Sequence, residues 1–144
     1  MDLIRSEHLP DYPIAVQIPI AWGEMDAYGH VNNIVFFRHF ESVRIAFLDH
    51  IGFRNPAGNA GVGPILHSTQ CRFRRPLSYP DTVHVGARVD ELTTDRFTMA
   101  YRMFSLGQMQ VVADGGGIIV SYNYDRTEKA ELPADVLRRI EALR

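Results

Sequence analysis

The spacing of apolar and polar residues changes several times along the 144-residue chain, and each change marks an element. Residues 13–20 (PIAVQIPI) are β-branched and predict a first strand, with Pro19 at its edge or end. A polar, glycine-bearing stretch follows over 21–33. From about Asn33 to Ile51 the pattern turns helical; Asn32 or Asn33 suits the N-cap and Gly52 sits where a helix stops. Residues 54–64, rich in glycine, proline and asparagine, predict a loop. Four strand-like runs come next, over 65–74, 82–91, 95–106 and 109–124. Pro76 and Pro80 break the first gap, while Asp95 and Leu106-Gly107-Gln108 mark hairpin turns. A short amphipathic helix from Pro133 to Leu143 closes the chain. Strands joined by short turns imply an antiparallel sheet and an α+β class.

The long helix is unusual. At 100° per residue, Val43, Phe36, Phe47, Phe40, Ile51, Phe37 and Leu48 fill one continuous arc, which Ile34 and Ile45 extend. Arg38, Ser42, Asp49, His39 and His50 occupy a narrower polar wedge. A surface helix carries an apolar stripe only somewhat wider than 100°. This one is apolar over more than half its circumference, so a sheet should wrap around it. Glu41 and Arg44 fall inside or beside that arc at i, i+3 spacing, which suits a structural ion pair or a glutamate facing a site.

Composition narrows the function without naming it. The length suits one domain spanning residues 1–144, large enough to fold without metal or disulfide staples. Fifteen Lys and Arg against seventeen Asp and Glu leave no global positive field for nucleic acid. Eight Phe and six Tyr argue against disorder. The single Cys71 excludes an internal disulfide framework and a thiolate zinc cluster, and fits a reducing compartment. No apolar run approaches the roughly 20 residues of a membrane span, and no signal peptide is apparent. These readings predict a cytoplasmic protein with neither a membrane nor a nucleic-acid partner.

The densest chemistry lies just ahead of the long helix, in Trp22-Gly23-Glu24-Met25-Asp26-Ala27-Tyr28-Gly29-His30-Val31-Asn32-Asn33. A helix start presents unpaired N–H groups and a positive dipole end, suited to an oxyanion. A carboxylate a few residues upstream suits a nucleophile or a general base for water. The same residue types also make turns and caps.

The run Asp26-x-x-Gly29-His30-Val31-Asn32-Asn33, with Glu41-x-x-Arg44 beyond it, resembles the 4-hydroxybenzoyl-CoA thioesterase-like branch of the hotdog-fold acyl-CoA thioesterases. Arg75-Pro76-Leu77 and the Leu132-Pro133 entry into the last helix match as well. The resemblance implies a hotdog fold, an antiparallel sheet curled around one central helix. It also implies sheets joined edge to edge in a homodimer or homotetramer, with the active site at the subunit interface. Asp26 would then attack an acyl-CoA thioester or activate water. The backbone N–H near Asn33 would polarise the carbonyl, and the acyl group would enter an apolar pocket beside the helix. A thioester carbonyl is electrophilic enough that neither metal nor cofactor is expected.

Some relatives carry a histidine at the position of Asn33, so a catalytic imidazole here would have to come from His30, whose other role is to hold the loop. Another hotdog subgroup uses a helix glutamate, which keeps Glu41 as an alternative. Glu24 is expected to face solvent. Arg72 and Arg74 share one face of a strand, with Cys71 and Phe73 on the other, and with Arg75 they are candidates for the phosphates of coenzyme A or for a guarded strand edge. No P-loop, helical His pair or G-x-S-x-G elbow is present. Gly115-Gly116-Gly117 fits a bulge or a close approach to the helix. Two other readings remain at this point: a non-catalytic acyl-CoA or acyl-carrier-protein binding module, and a hotdog dehydratase, which the missing hydratase pattern disfavours.

Overall fold

A computed structural model describes all residues, 1–144. Its strands are β1 (Leu3–Ile4), β2 (Ile14–Pro19), β3 (Val62–Phe73), β4 (Thr82–Leu92), β5 (Arg96–Ser105), β6 (Gln110–Asn123) and β7 (Glu128–Lys129). The helices are α1 (Asn33–His50) and α2 (Ala134–Leu143), with 3-10 turns at Trp22–Glu24 and Pro56–Asn59. All pairings are antiparallel, in the order β1-β2-β4-β5-β6-β3, and β7 adds to β6. The sheet curls around α1, as the apolar width of that helix requires. The fold is the hotdog fold, α+β in class.

Strand alternation builds the concave wall. Phe97, Met99, Tyr101 and Met103 of β5 are buried at every second position, beside Val83, Val85, Ala87 and Val89 of β4. Into this wall α1 sends Val35, Phe36, Phe40, Val43 and Phe47, all part of one core cluster of 29 residues. The Phe40 ring stacks on Tyr101 at 5.2 Å between centroids. Gly115 of β6 makes that depth possible, because a Cβ there would lie 2.5 Å from Phe40 Cε2. Of the glycine triplet, Gly115 thus marks a close approach to the helix, while Gly116 and Gly117 lie against the neighbouring strands.

The polar wedge of α1 is narrower than the periodicity predicts. His39 belongs to it by position yet is 4% exposed, with Glu24 of the preceding segment close enough to act on its charge. Arg44 is buried too, donating to Tyr101 Oη at 3.3 Å with Glu41 at 3.8 Å. No helix is long and apolar enough to cross a membrane.

After β1 pairs along the sheet edge, residues 5–13 form a strap across the outer face of the sheet. Ser6 Oγ lies 2.7 Å from His84 Nδ1, whose Nε2 meets Gln17 Oε1 at 2.9 Å. His8 stacks on Phe104 at 4.4 Å. Burial, and then the neighbouring His8, push the His84 imidazole below its ordinary value. Burial does the same to His39, opposed by Glu24 and assisted by Arg38. Both rings are easier to protonate in the unfolded chain, near pH 6.5, so that chain binds more protons as pH falls. The stability they contribute is complete above about pH 6.5 and is lost as pH drops toward their lower folded-state values. The Tm, followed by circular dichroism, should therefore fall between pH 7.5 and 5, and His39→Gln with His84→Asn should flatten the slope. A wild-type Tm that is constant over this range contradicts the assignment.

Candidate active site

The segment between β2 and α1 folds into a tight loop whose ends bridge Met25 to Val31. Asp26 N–H donates to His30 O at 2.7 Å, and Gly29 turns the chain at φ +78°, where a side chain is disfavoured. The Asp26 carboxylate closes the turn from within. Its Oδ1 accepts from Tyr28 N–H at 2.8 Å and from His30 N–H at 3.3 Å. Its Oδ2 has no hydrogen-bond partner within the chain.

Residues 77–79 brace the loop from outside. Val31 N–H donates to Leu77 O at 2.8 Å and Ser78 Oγ to Gly29 O at 2.9 Å. Asn32 is the N-cap of α1, its Oδ1 accepting from Ile34 N–H at 3.1 Å. The N–H of Asn33, first residue of the helix, has no acceptor within the chain. It is a donor at the positive end of the helix dipole.

An open cleft of about 360 Å³ brings Asp26, His30 and Asn33 together with Val31, Phe36, Phe73, Arg74, Arg75 and Pro76. The His30 ring makes no hydrogen bond; its backbone, not its imidazole, holds the loop. The Arg75 N–H donates to Val112 O at 3.1 Å, but its guanidinium has no acceptor within the chain and is available to an anion. Arg74 Nε is held by Asp114 Oδ2, and Arg102 Nε donates to the other oxygen at 2.6 Å. Burial raises the Asp114 carboxyl, but the hydrogen bonds from Arg102 and Arg74 outweigh it and hold the group below the usual carboxylate range.

Two sequence candidates stand away from the cleft. Arg72 lines a separate hollow of about 370 Å³ with Gln70, Cys71, Arg74, Asp114 and Gly115, so Arg74 alone borders both spaces. Glu41 is exposed and lies beside Arg44. In the hollow, burial pushes the Cys71 thiol up to about 11, with Asp114 adding to the shift, which makes it a poor nucleophile. No three His, Cys, Asp or Glu side chains converge where a metal ion would sit.

Glu24 corrects its solvent-facing expectation. Its side chain is 14% exposed; Oε1 accepts Ala21 N–H at 2.7 Å, and Oε2 pairs with Arg38 at 2.6 Å. It ties the loop to α1. Only the three-residue reach from Ala21 to Glu24 hinted at this, and Arg38 lies fourteen residues on.

Comparison with known proteins agrees with this architecture. A family model described as the thioesterase-like superfamily matches residues 20–140. An Aquifex aeolicus protein, an esterase by name only, is 31% identical over 93 residues, covering 64% of this chain and 73% of its own. A Thermus thermophilus thioesterase solved with coenzyme A and zinc superposes with TM-score 0.79 at 25% identity, covering 93% of this chain and 96% of that one. A thioesterase-superfamily structure from Jannaschia sp. CCS1 reaches TM-score 0.86 at 22% identity, over 99% of this chain and 93% of that one.

Proposed function

Because the chain belongs to the thioesterase-like superfamily and is a thioester hydrolase, we propose that it hydrolyses acyl-CoA thioesters in the Asp26 cleft. The observation that carries this reading is the Asp26 carboxylate: one oxygen is anchored by two backbone N–H groups and the other is free, in one cleft with the unpaired N–H of Asn33.

The carbonyl carbon sits against Asp26 Oδ2 and its oxygen against Asn33 N–H. Asp26 acts as base or as nucleophile. As base, Oδ2 takes a proton from water while the hydroxyl oxygen bonds to carbon. The tetrahedral oxyanion is stabilised by a donor and dipole fixed before reaction. The C–S bond then breaks, the proton passes to the departing sulfur, and carboxylic acid and coenzyme A leave. His30, in the same cleft with a free imidazole, is placed to assist proton movement. Arg75 takes a phosphate of coenzyme A, helped by Arg74; Arg72, on the outer face, reaches only its far end. Thiol release from a panel of acyl-CoAs tests the reading, since saturable binding without turnover would make the protein a carrier or binding module instead.

The active unit is at least a dimer, and a dimer of dimers gives a tetramer. Strand β3 pairs only with β6 and leaves its other edge open. Ile65, Leu66 and Phe73 on it are exposed, and an unpaired apolar edge is a template for another strand. A second copy adding along β3 extends the sheet and walls the cleft beyond Phe73. Light scattering at micromolar concentration should give at least twice the 16.3 kDa chain mass. Leu66→Asp should lower both mass and activity, whereas a fully active 16.3 kDa species would contradict the interface.

A further inference from the structure

We propose that Phe73 sets the length of acyl chain the cleft accepts, and that the substrates carry short acyl groups; this rests on the thioester-hydrolysis reading above. Phe73 ends β3 on the concave side and stands edge-on to Phe36 at 5.1 Å and to Phe37 at 6.3 Å. The three rings form a seam between α1 and β3, beside Asp26, His30 and Asn33. An acyl chain anchored with its carbonyl at Asn33 runs into that seam.

Toward the core, nothing behind the seam lets the chain continue. One turn along α1 from Phe36, Phe40 is fully buried and stacked on Tyr101, itself 1% exposed. Gly115 gives that stack the room that any larger residue would fill. Toward the core the cleft is therefore floored by packed aromatic rings, and its open side is the one a second copy would wall. Its other lining is mostly polar or charged: Asp26, His30, Asn33, Arg74 and Arg75. A long alkyl chain gains from apolar wall along its whole length, and here that wall extends over Val31, Phe36, Phe73 and Pro76 and no further. Of the two rings, Phe36 is 3% exposed and locked in the core, while Phe73 is 46% exposed and packed on one side only. Phe73 is thus the ring whose removal opens space without dismantling the core.

The experiment compares wild type, Phe73→Ala and Phe73→Leu on straight-chain acyl-CoAs from acetyl to dodecanoyl. Wild-type kcat/KM is expected to peak at about six carbons or fewer and then fall at least about tenfold, since single methylenes at a closed wall discriminate on this scale. Phe73→Ala should move the optimum at least about two carbons longer, with Phe73→Leu between. A wild-type profile still rising at dodecanoyl overturns the proposal, as does a variant that changes all lengths equally. Non-hydrolysable thioether analogues of the same lengths, titrated by calorimetry, separate the two ideas. A length cutoff in Kd that moves in Phe73→Ala supports the ruler even without turnover, and a Kd indifferent to length or to Phe73 removes it even if hydrolysis is confirmed.

Discussion

Asp26→Asn is expected to lower kcat/KM for the best acyl-CoA by about 10²–10⁴-fold, the usual worth of a positioned acid–base or nucleophilic group. The amide keeps the size of the carboxylate and, through its oxygen, can still accept from Tyr28 N–H and His30 N–H, so the loop should survive. What is lost is the free oxygen with its charge, which can neither take a proton from water nor attack carbon as an amide. Because the Asn33 N–H and the helix dipole remain, part of the carbonyl polarisation persists, and KM should move far less than kcat. The Tm of the variant should match wild type, which separates chemistry from folding. A loss of less than about tenfold, or under about 1.4 kcal/mol of transition-state stabilisation, would remove Asp26 from its assigned role.

Gly115→Ala should cost about 2–3 kcal/mol of stability, read as a fall in Tm of roughly 6–12 °C in thermal unfolding. The added methyl would stand 2.5 Å from Phe40 Cε2 and 2.7 Å from the Gln70 carbonyl oxygen. The ring can yield only into a core already closed by Tyr101, and the carbonyl belongs to the β3 backbone. Relief therefore has to come from moving α1 away from the sheet or β3 away from β6. Either shift disturbs Phe36 and Phe73, so activity should fall along with stability. Phe40→Val, destabilising in wild type because the ring is fully buried, should cost clearly less in the Gly115→Ala chain; an unchanged Tm in the Gly115→Ala single variant would mean that the helix does not sit this deep.

Much of this architecture is legible in local pattern. The expected long helix, Asn33 to Ile51, differs from α1 by one residue, and the four later strand runs fall within a few residues of β3 to β6. Their alternation and period are local properties. β1 and β7, two residues each, carry no such pattern and exist because a neighbouring strand edge accepts them. Strand β3 starts at Val62, inside the expected loop, because Gly63 and Pro64 lie against Tyr122 and Ser121 of β6.

The site divides in the same way. Asp26, His30 and Asn33 meet because they lie within eight residues on one loop, which spacing can reveal. The pleat likewise put Phe73 opposite Arg72 and Arg74. That Asp114 would hold Arg74, or that Arg38 would hold Glu24, depends on partners set by sheet register and helix orientation, which no local window contains. His39 shows the limit of helical periodicity: a residue polar by type and position is buried because distant elements cover it.

The free edge of β3 also shapes the birth of the chain. The ribosome releases β3 before β4 and β5, yet its only neighbour in the sheet is β6. Until that strand emerges, β3 has two open edges and exposes Ile65, Leu66 and Phe73, and closing a contact this remote is slow. A nascent strand of this kind can add to the wrong chain. Arg72, Arg74 and Arg75 follow at its end, where repulsion between like charges discourages another β3 from stacking in register. A charged strand end of this kind would act during synthesis, before the finished fold offers any of the three arginines a ligand.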